Sequence, residues 1–236
     1  MKLAELAHER RLPFDDAPSA EAHADALARR VAGALRAVLD ARGSATLALS
    51  GGRSPEGFLK RLDRETLDWS KVTVTLVDER WVPPDHPDSN EGMVRRCLPV
   101  ALANARWIPL YRGQDPEQDA LQAERMLGGL MPVDVLVLGM GPDGHTASLF
   151  PGMPGLEEAL PVKAPELVRA IPPDGERKAR ITMTGRALHQ AKLLLLQING
   201  EEKREVLRRA FSASPLELPI AEFLRPPLEI YYCPQG

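Results

Sequence analysis

Cysteine is scarce. The 236 residues contain two, Cys97 and Cys233, far apart and in no C-x-x-C or Cys/His ligand spacing. A disulfide scaffold and a zinc knuckle are therefore excluded, and two reduced thiols are expected. Long apolar runs are missing too: 193–196, LLLL, falls far short of the roughly 20 residues that a membrane helix needs. The opening stretch MKLAELAHERRLPFDD carries charges throughout and lacks the apolar centre of a signal peptide. Nor does charge of one sign dominate. A formal net charge of -3 gives no footprint for nucleic acid or an anionic membrane, so neither is expected as a partner. The expected compartment is cytoplasmic. A small anionic ligand would need a local cluster of positive groups.

What is present is ordinary globular material, 44% hydrophobic and 27% charged, long enough for one large domain over residues 1–236 with a buried core. Ser19 opens a helix in which Leu27, Val31, Leu35 and Val38 recur at three- and four-residue spacing until Gly43. A short apolar run, 45–50, then stops at two glycines. Ser54 and Pro55 read as the N-cap and first residue of a helix over PEGFLKRL. A second strand covers 72–77 and ends in DER; a short helix with Met93, Val94 and Leu98 follows a polar loop. Further strands are expected at 107–110, 134–139, 167–171, 180–184 and 192–198, and LEIYY closes the chain. Helices are expected from Asp115-Pro116, with Gln118 completing a capping box, at 185–191, and over EEKREVLRRAF. Strands alternating with helices predict an α/β fold: an open, largely parallel sheet with helices on both faces and ligands at the carboxyl ends of strands.

Four constellations sit just after strands. SGGRSP comprises Ser50, Gly51, Gly52, Arg53, Ser54 and Pro55. It can turn backbone N–H groups toward an anion at a helix N-terminus, or it can be a plain βα turn that needs glycine. It matches neither the Walker loop nor G-x-G-x-x-G, and it is not the G-x-S-x-G of serine esterases. Asp78, Glu79 and Arg80 in VDERWVP are placed for a site, or for a solvated turn with an ion pair. The segment 138–152, LGMGPDGHTASLFPG, frames Asp143 and His145 with glycines after a buried strand. Histidine can accept and return a proton near neutral pH, and a neighbouring carboxylate fixes its tautomer. Arg180 and Lys203, each at a strand end, are surface charges or the rest of a positive pocket.

Taken in order, LALSGGRSPEGF, VTLVDERWVPPDHPDSNEGMV, DVLVLGMGPDGHTASLFPG and RITMT with the later ING-x-x-K turn resemble the 6-phosphogluconolactonase family. The match spans about residues 47–203 and is most specific over 139–151. The resemblance implies a single modified Rossmann-like domain, a monomer, that hydrolyses a phosphorylated sugar lactone without metal or organic cofactor. It further implies His145 as general base with Asp143 beside it, and Asp78 as a further catalytic residue. Ser50, Gly51, Gly52, Arg53, Ser54, Arg80, Arg180 and Lys203 are then the substrate and phosphate ligands.

Two other readings stand beside it. Related amino-sugar-phosphate deaminases carry a Glu after the Gly-His pair; here that place is Phe150, which favours hydrolysis. Noncatalytic sugar-phosphate regulators with related folds carry a helix-turn-helix segment, and none is expected here.

Overall fold

The computed structural model describes residues 2–235. Helix α1 (Leu3–Glu9) and the short strand β1 (Phe14–Asp16) come first. Helix α2 (Ala20–Arg42) is capped as its sequence demands: Ser19 Oγ accepts from Ala22 N–H at 3.2 Å. At its other end Gly43 takes φ +79°, and its N–H returns to Leu39 O at 2.8 Å. Strand β2 (Ala45–Leu49) leads into α3 (Glu56–Leu62), then β3 (Val72–Leu76) and, one residue on, β4 (Asp78–Arg80). Next come α4 (Asn90–Cys97), α5 (Pro99–Asn104), β5 (Arg106–Ile108), α6 (Pro116–Gly128) and β6 (Val135–Gly139). The rest is α7 (Leu156–Ala159), β7 (Val168–Ile171), β8 (Arg180–Met183), α8 (Gly185–His189), β9 (Leu193–Asn199), α9 (Glu201–Ala210) and β10 (Leu228–Cys233).

Seven strands form a parallel sheet in the order β1-β10-β9-β6-β2-β3-β5. Successive side chains on a strand point to opposite faces. In β6 Val135, Leu136, Val137 and Leu138 are all buried, so both faces of the sheet centre are covered. Helix α2 packs on β2, β6 and β10, and α9 on β9. Among the described residues no helix is long and apolar enough to cross a membrane.

The sheet is not the whole of it. Strands β4, β8 and β7 make a separate antiparallel sheet, with Asp78 opposite Thr182 and Arg80 opposite Arg180. RITMT and 167–171 therefore do not extend the parallel sheet, and DER is a strand rather than a strand's end. The chain turns at Val77, whose N–H bonds Leu49 O and whose carbonyl accepts from Met183 N–H, each at 2.8 Å, so one residue ties the two sheets together. Helix α3 starts later than its sequence suggests: Pro55 is its N-cap with no side-chain bond, and Ser54 caps nothing. At α6, Asp115 accepts from Gln118 N–H at 3.0 Å.

Candidate active site

A polar cavity of about 210 Å³ opens at the carboxyl ends of β2, β6 and β9, facing the small sheet. From the segment after β2 it takes Ser50, Gly51 and Ser54; from β4, Asp78 and Arg80; from the segment after β6, Met140, Gly141, His145 and Ala147. Arg180, Asn90, Gln197 and Lys203 complete it.

The His145 segment is built around close backbone approach. Gly144 takes φ +78°, and Gly141 N–H donates to His145 O at 2.9 Å, folding the loop on itself. A Cβ on Gly141 would lie 2.1 Å from His145 Cε1, so only glycine lets the imidazole lie against this turn. Asp143 Oδ1 accepts the His145 backbone N–H at 3.2 Å and meets the ring Nδ1 at 2.5 Å. A carboxylate on Nδ1 favours the proton there and leaves Nε2 as the accepting nitrogen. Burial pushes the Asp143 carboxyl up, but its bonds to His145 outweigh that and hold it below the ordinary value. The ring's other side rests on Phe150, centroids 4.5 Å apart. Ala147, which lines the cavity, has φ +51°, a strained conformation for a residue with a Cβ.

The 141–144 turn spends two of its own donors: Gly141 N–H goes to His145 O, and Gly144 N–H goes to Gly141 O at 3.1 Å. Neither is free for a further acceptor. Arg180 is mostly buried. Its Nη1 lies 3.7 Å from Asp78 Oδ2, and its Cζ lies 5.1 Å from the Phe150 centroid. Burial lowers its pKa, with Asp78 acting against that. Asp78 Oδ2 also accepts from Ser148 Oγ at 2.6 Å. Arg80 donates to Asn90 Oδ1 at 2.7 Å and to Asp88 O at 2.9 Å.

Glu79 faces away from the cavity and organises its wall. It is buried, and its two oxygens accept from Arg80 N–H, Asn90 N–H, Glu91 N–H and Ser89 Oγ. Burial pushes its carboxyl up to about 7, against the pull of those donors. Asn90, so fixed, donates through Nδ2 to Asp78 O at 2.8 Å. A Cβ at Gly51 would come within 1.8 Å of Asn90 Oδ1, so that glycine is required by a side chain 39 positions further along the chain. Gln197 donates to Ser54 O at 2.9 Å and steadies the 50–54 loop. Lys203, in the first turn of α9, is lowered by burial with Glu202 opposing.

Of the residues expected at the site, Ser50, Gly51, Ser54, Asp78, Arg80, His145, Arg180 and Lys203 converge on this cavity, and Asp143 backs His145. Gly52 supplies the turn with φ +92° but does not line the cavity. Arg53 is the clear exception: its side chain borders a different cavity behind the loop. Sequence reasoning missed Asn90 and Gln197. Gln197 is a buried amide within an apolar strand, a signal that marks a polar task without saying which, whereas Asn90 sits among polar residues and carries no such signal.

A parallel α/β sheet with an imidazole–carboxylate pair and strand-end cations around one crevice has the make-up of an enzyme for small phosphorylated substrates. The family model for "Glucosamine-6-phosphate isomerases/6-phosphogluconolactonase" matches residues 18–229. A 6-phosphogluconolactonase of Pseudomonas putida is 44% identical over 242 aligned positions, covering 99% of this chain and 98% of that one. One from Rhizobium meliloti is 46% identical, covering 89% and 94%. The crystal structure of a 6-phosphogluconolactonase from Shewanella baltica superposes with a TM-score of 0.89 at 35% identity, covering 94% and 97%. The chain belongs to the glucosamine-6-phosphate isomerase/6-phosphogluconolactonase family.

Proposed function

We propose that this chain hydrolyses 6-phospho-D-glucono-1,5-lactone to 6-phospho-D-gluconate, a step of the oxidative pentose phosphate pathway. The observation that carries the reading is His145, its Nδ1 held by Asp143, facing a cavity that also presents Arg80, Arg180 and Lys203. Its relatives' name supports the same substrate.

A lactone is a cyclic ester. His145 Nε2 takes a proton from a water as its oxygen bonds to the lactone carbonyl carbon. The carbonyl oxygen becomes an oxyanion, stabilised by the Arg80 guanidinium. Collapse breaks the bond from that carbon to the ring oxygen, which leaves with the proton returned by His145. Water is consumed and no group stays on the protein. Such proton transfer contributes typically about 10²–10⁴-fold. Asp143 steadies the imidazolium. Asp78 anchors Arg180. Ser50, Gly51 and Ser54 of the 50–54 loop, with Lys203 and Arg180, hold the phosphate, whose binding energy positions the distant carbonyl.

The test is to oxidise glucose 6-phosphate in situ and follow lactone loss with and without the protein. Loss no faster than the spontaneous rate would refute the reading. We further infer a cytoplasmic monomer folded as one domain. A one-chain mass by light scattering and a single cooperative unfolding transition are expected.

A further inference from the structure

Behind the 50–54 loop lies a second cavity of about 560 Å³. Ser54, Gln197 and Lys203 line both it and the catalytic cavity, and so form the wall between them. The far side is closed by the first turn of α2, by Phe58 of α3 and by Gln235.

Three observations bear on what it holds. In a chain of net charge -3, its lining among the described residues includes Arg53 and Lys203 but no Asp or Glu. His23, also in the lining, is 1% exposed, and among the described residues neither ring nitrogen has a hydrogen-bond partner. Burial lowers its pKa, against the pull of the Asp15 carboxylate and of the Tyr232 carbonyl, which also accepts from Ala17 N–H at 2.9 Å. A buried polar group without a partner is costly, and sites that tolerate one usually have a use for it. Lastly, the N-terminus of the 23-residue α2 opens here, and Gln235 Oε1 accepts from Ala20 N–H at 3.3 Å. A carboxamide oxygen thus sits where an anion's oxygen would.

We propose that this rear cavity binds a small phosphate-bearing anion, held by Arg53, Lys203 and the His23 ring. The donors come from α2, the 50–54 loop and α9. Lys203 cannot serve two anions fully. The rear ligand and the substrate therefore oppose each other, and by reciprocity each weakens the other's binding equally.

The probe is inorganic phosphate, titrated into the full chain while imidazole resonances are followed by NMR, with His23 assigned from His23→Gln. Two saturable sites are expected, and the His23 signals move with one of them. Arg180→Ala weakens the front site and leaves the His23 response in place. His23→Leu weakens the rear site at least about tenfold, as expected on losing a hydrogen bond to a charged group. Lactone turnover in phosphate-free buffer stays at the wild-type rate. If His23→Leu does not fold, Arg53→Gln, at an exposed position, makes the same test with the same expected loss. A single phosphate site that disappears with Arg180→Ala, with His23 resonances unmoved, would overturn the proposal. Failure here leaves lactone hydrolysis untouched, since the test reads His23 and Arg53, which take no part in that reaction and line only the rear cavity.

Discussion

Replacing His145 by Asn separates catalysis from folding, because the structure sets the two costs far apart. The ring is about a quarter exposed, makes one side-chain bond to a partly exposed Asp143, and packs on Phe150. Losing an aromatic pair costs about 0.5–1.5 kcal/mol and a solvent-accessible hydrogen bond about 1 kcal/mol. Asn keeps a donor within reach of Asp143 and recovers part of the second. The variant should therefore lose roughly 1–2 kcal/mol and melt a few degrees lower. Its kcat should fall by at least about a hundredfold, equal to about 2.7 kcal/mol in the barrier, with KM little changed. Initial rates of lactone loss, corrected for the spontaneous reaction, and a thermal melt on the same preparation measure both. Turnover within about threefold of wild type would refute the assignment and shift the base to Asp78.

Arg180→Ala should raise KM about tenfold to a hundredfold through the lost charged contact, and equal wild-type activity on unphosphorylated gluconolactone would undermine phosphate recognition altogether. Ammonia release from glucosamine 6-phosphate should be flat beside rapid lactone loss, because Phe150, 5% exposed and packed on His145, accepts no proton; comparable rates of the two would refute this. Glu79 yields a pH signature. Its native carboxyl keeps a proton up to about 7 while the unfolded one loses it near 4.5, so its contribution to stability falls as pH rises through that window. Melting curves from pH 4.5 to 7 should show this downward component, and Glu79→Gln should remove it.

Much of this was legible where local chemistry decides. Ser19 and Gly43 bracket α2 because a hydroxyl cap and a left-handed glycine act within four residues. The VLVL run marks a doubly covered strand without reference to its neighbours. The Gly-framed Asp143–His145 pair is likewise self-contained, since its hydrogen bonds span two residues. Illegible features depend on partners far along the chain. Strand β4 is three polar residues that become a strand only because Arg180 to Thr182 lie opposite. Arg53 and Ser54 are adjacent, yet the loop sends one behind the site and keeps the other in its wall, where Gln197, 143 positions along the chain, holds the Ser54 carbonyl. The N-terminal helix and β1 escaped notice because β1 is short and pairs with the last strand.

Strand β4 carries one further consequence. Its pairing with β8 sets Arg80 opposite Arg180, and like charges across a ladder repel. Arg80 and Arg177 both act to lower the pKa of Arg180, so the repulsion is felt at the guanidinium itself. Asp78 offsets only part of that repulsion, and on the proposed function the substrate's phosphate supplies the remaining counter-charge. Filling the pocket stabilises the native state in proportion to occupancy. The small sheet should accordingly be the part of the molecule whose amide exchange slows most when a phosphorylated ligand arrives, and recognition and local rigidity become one event.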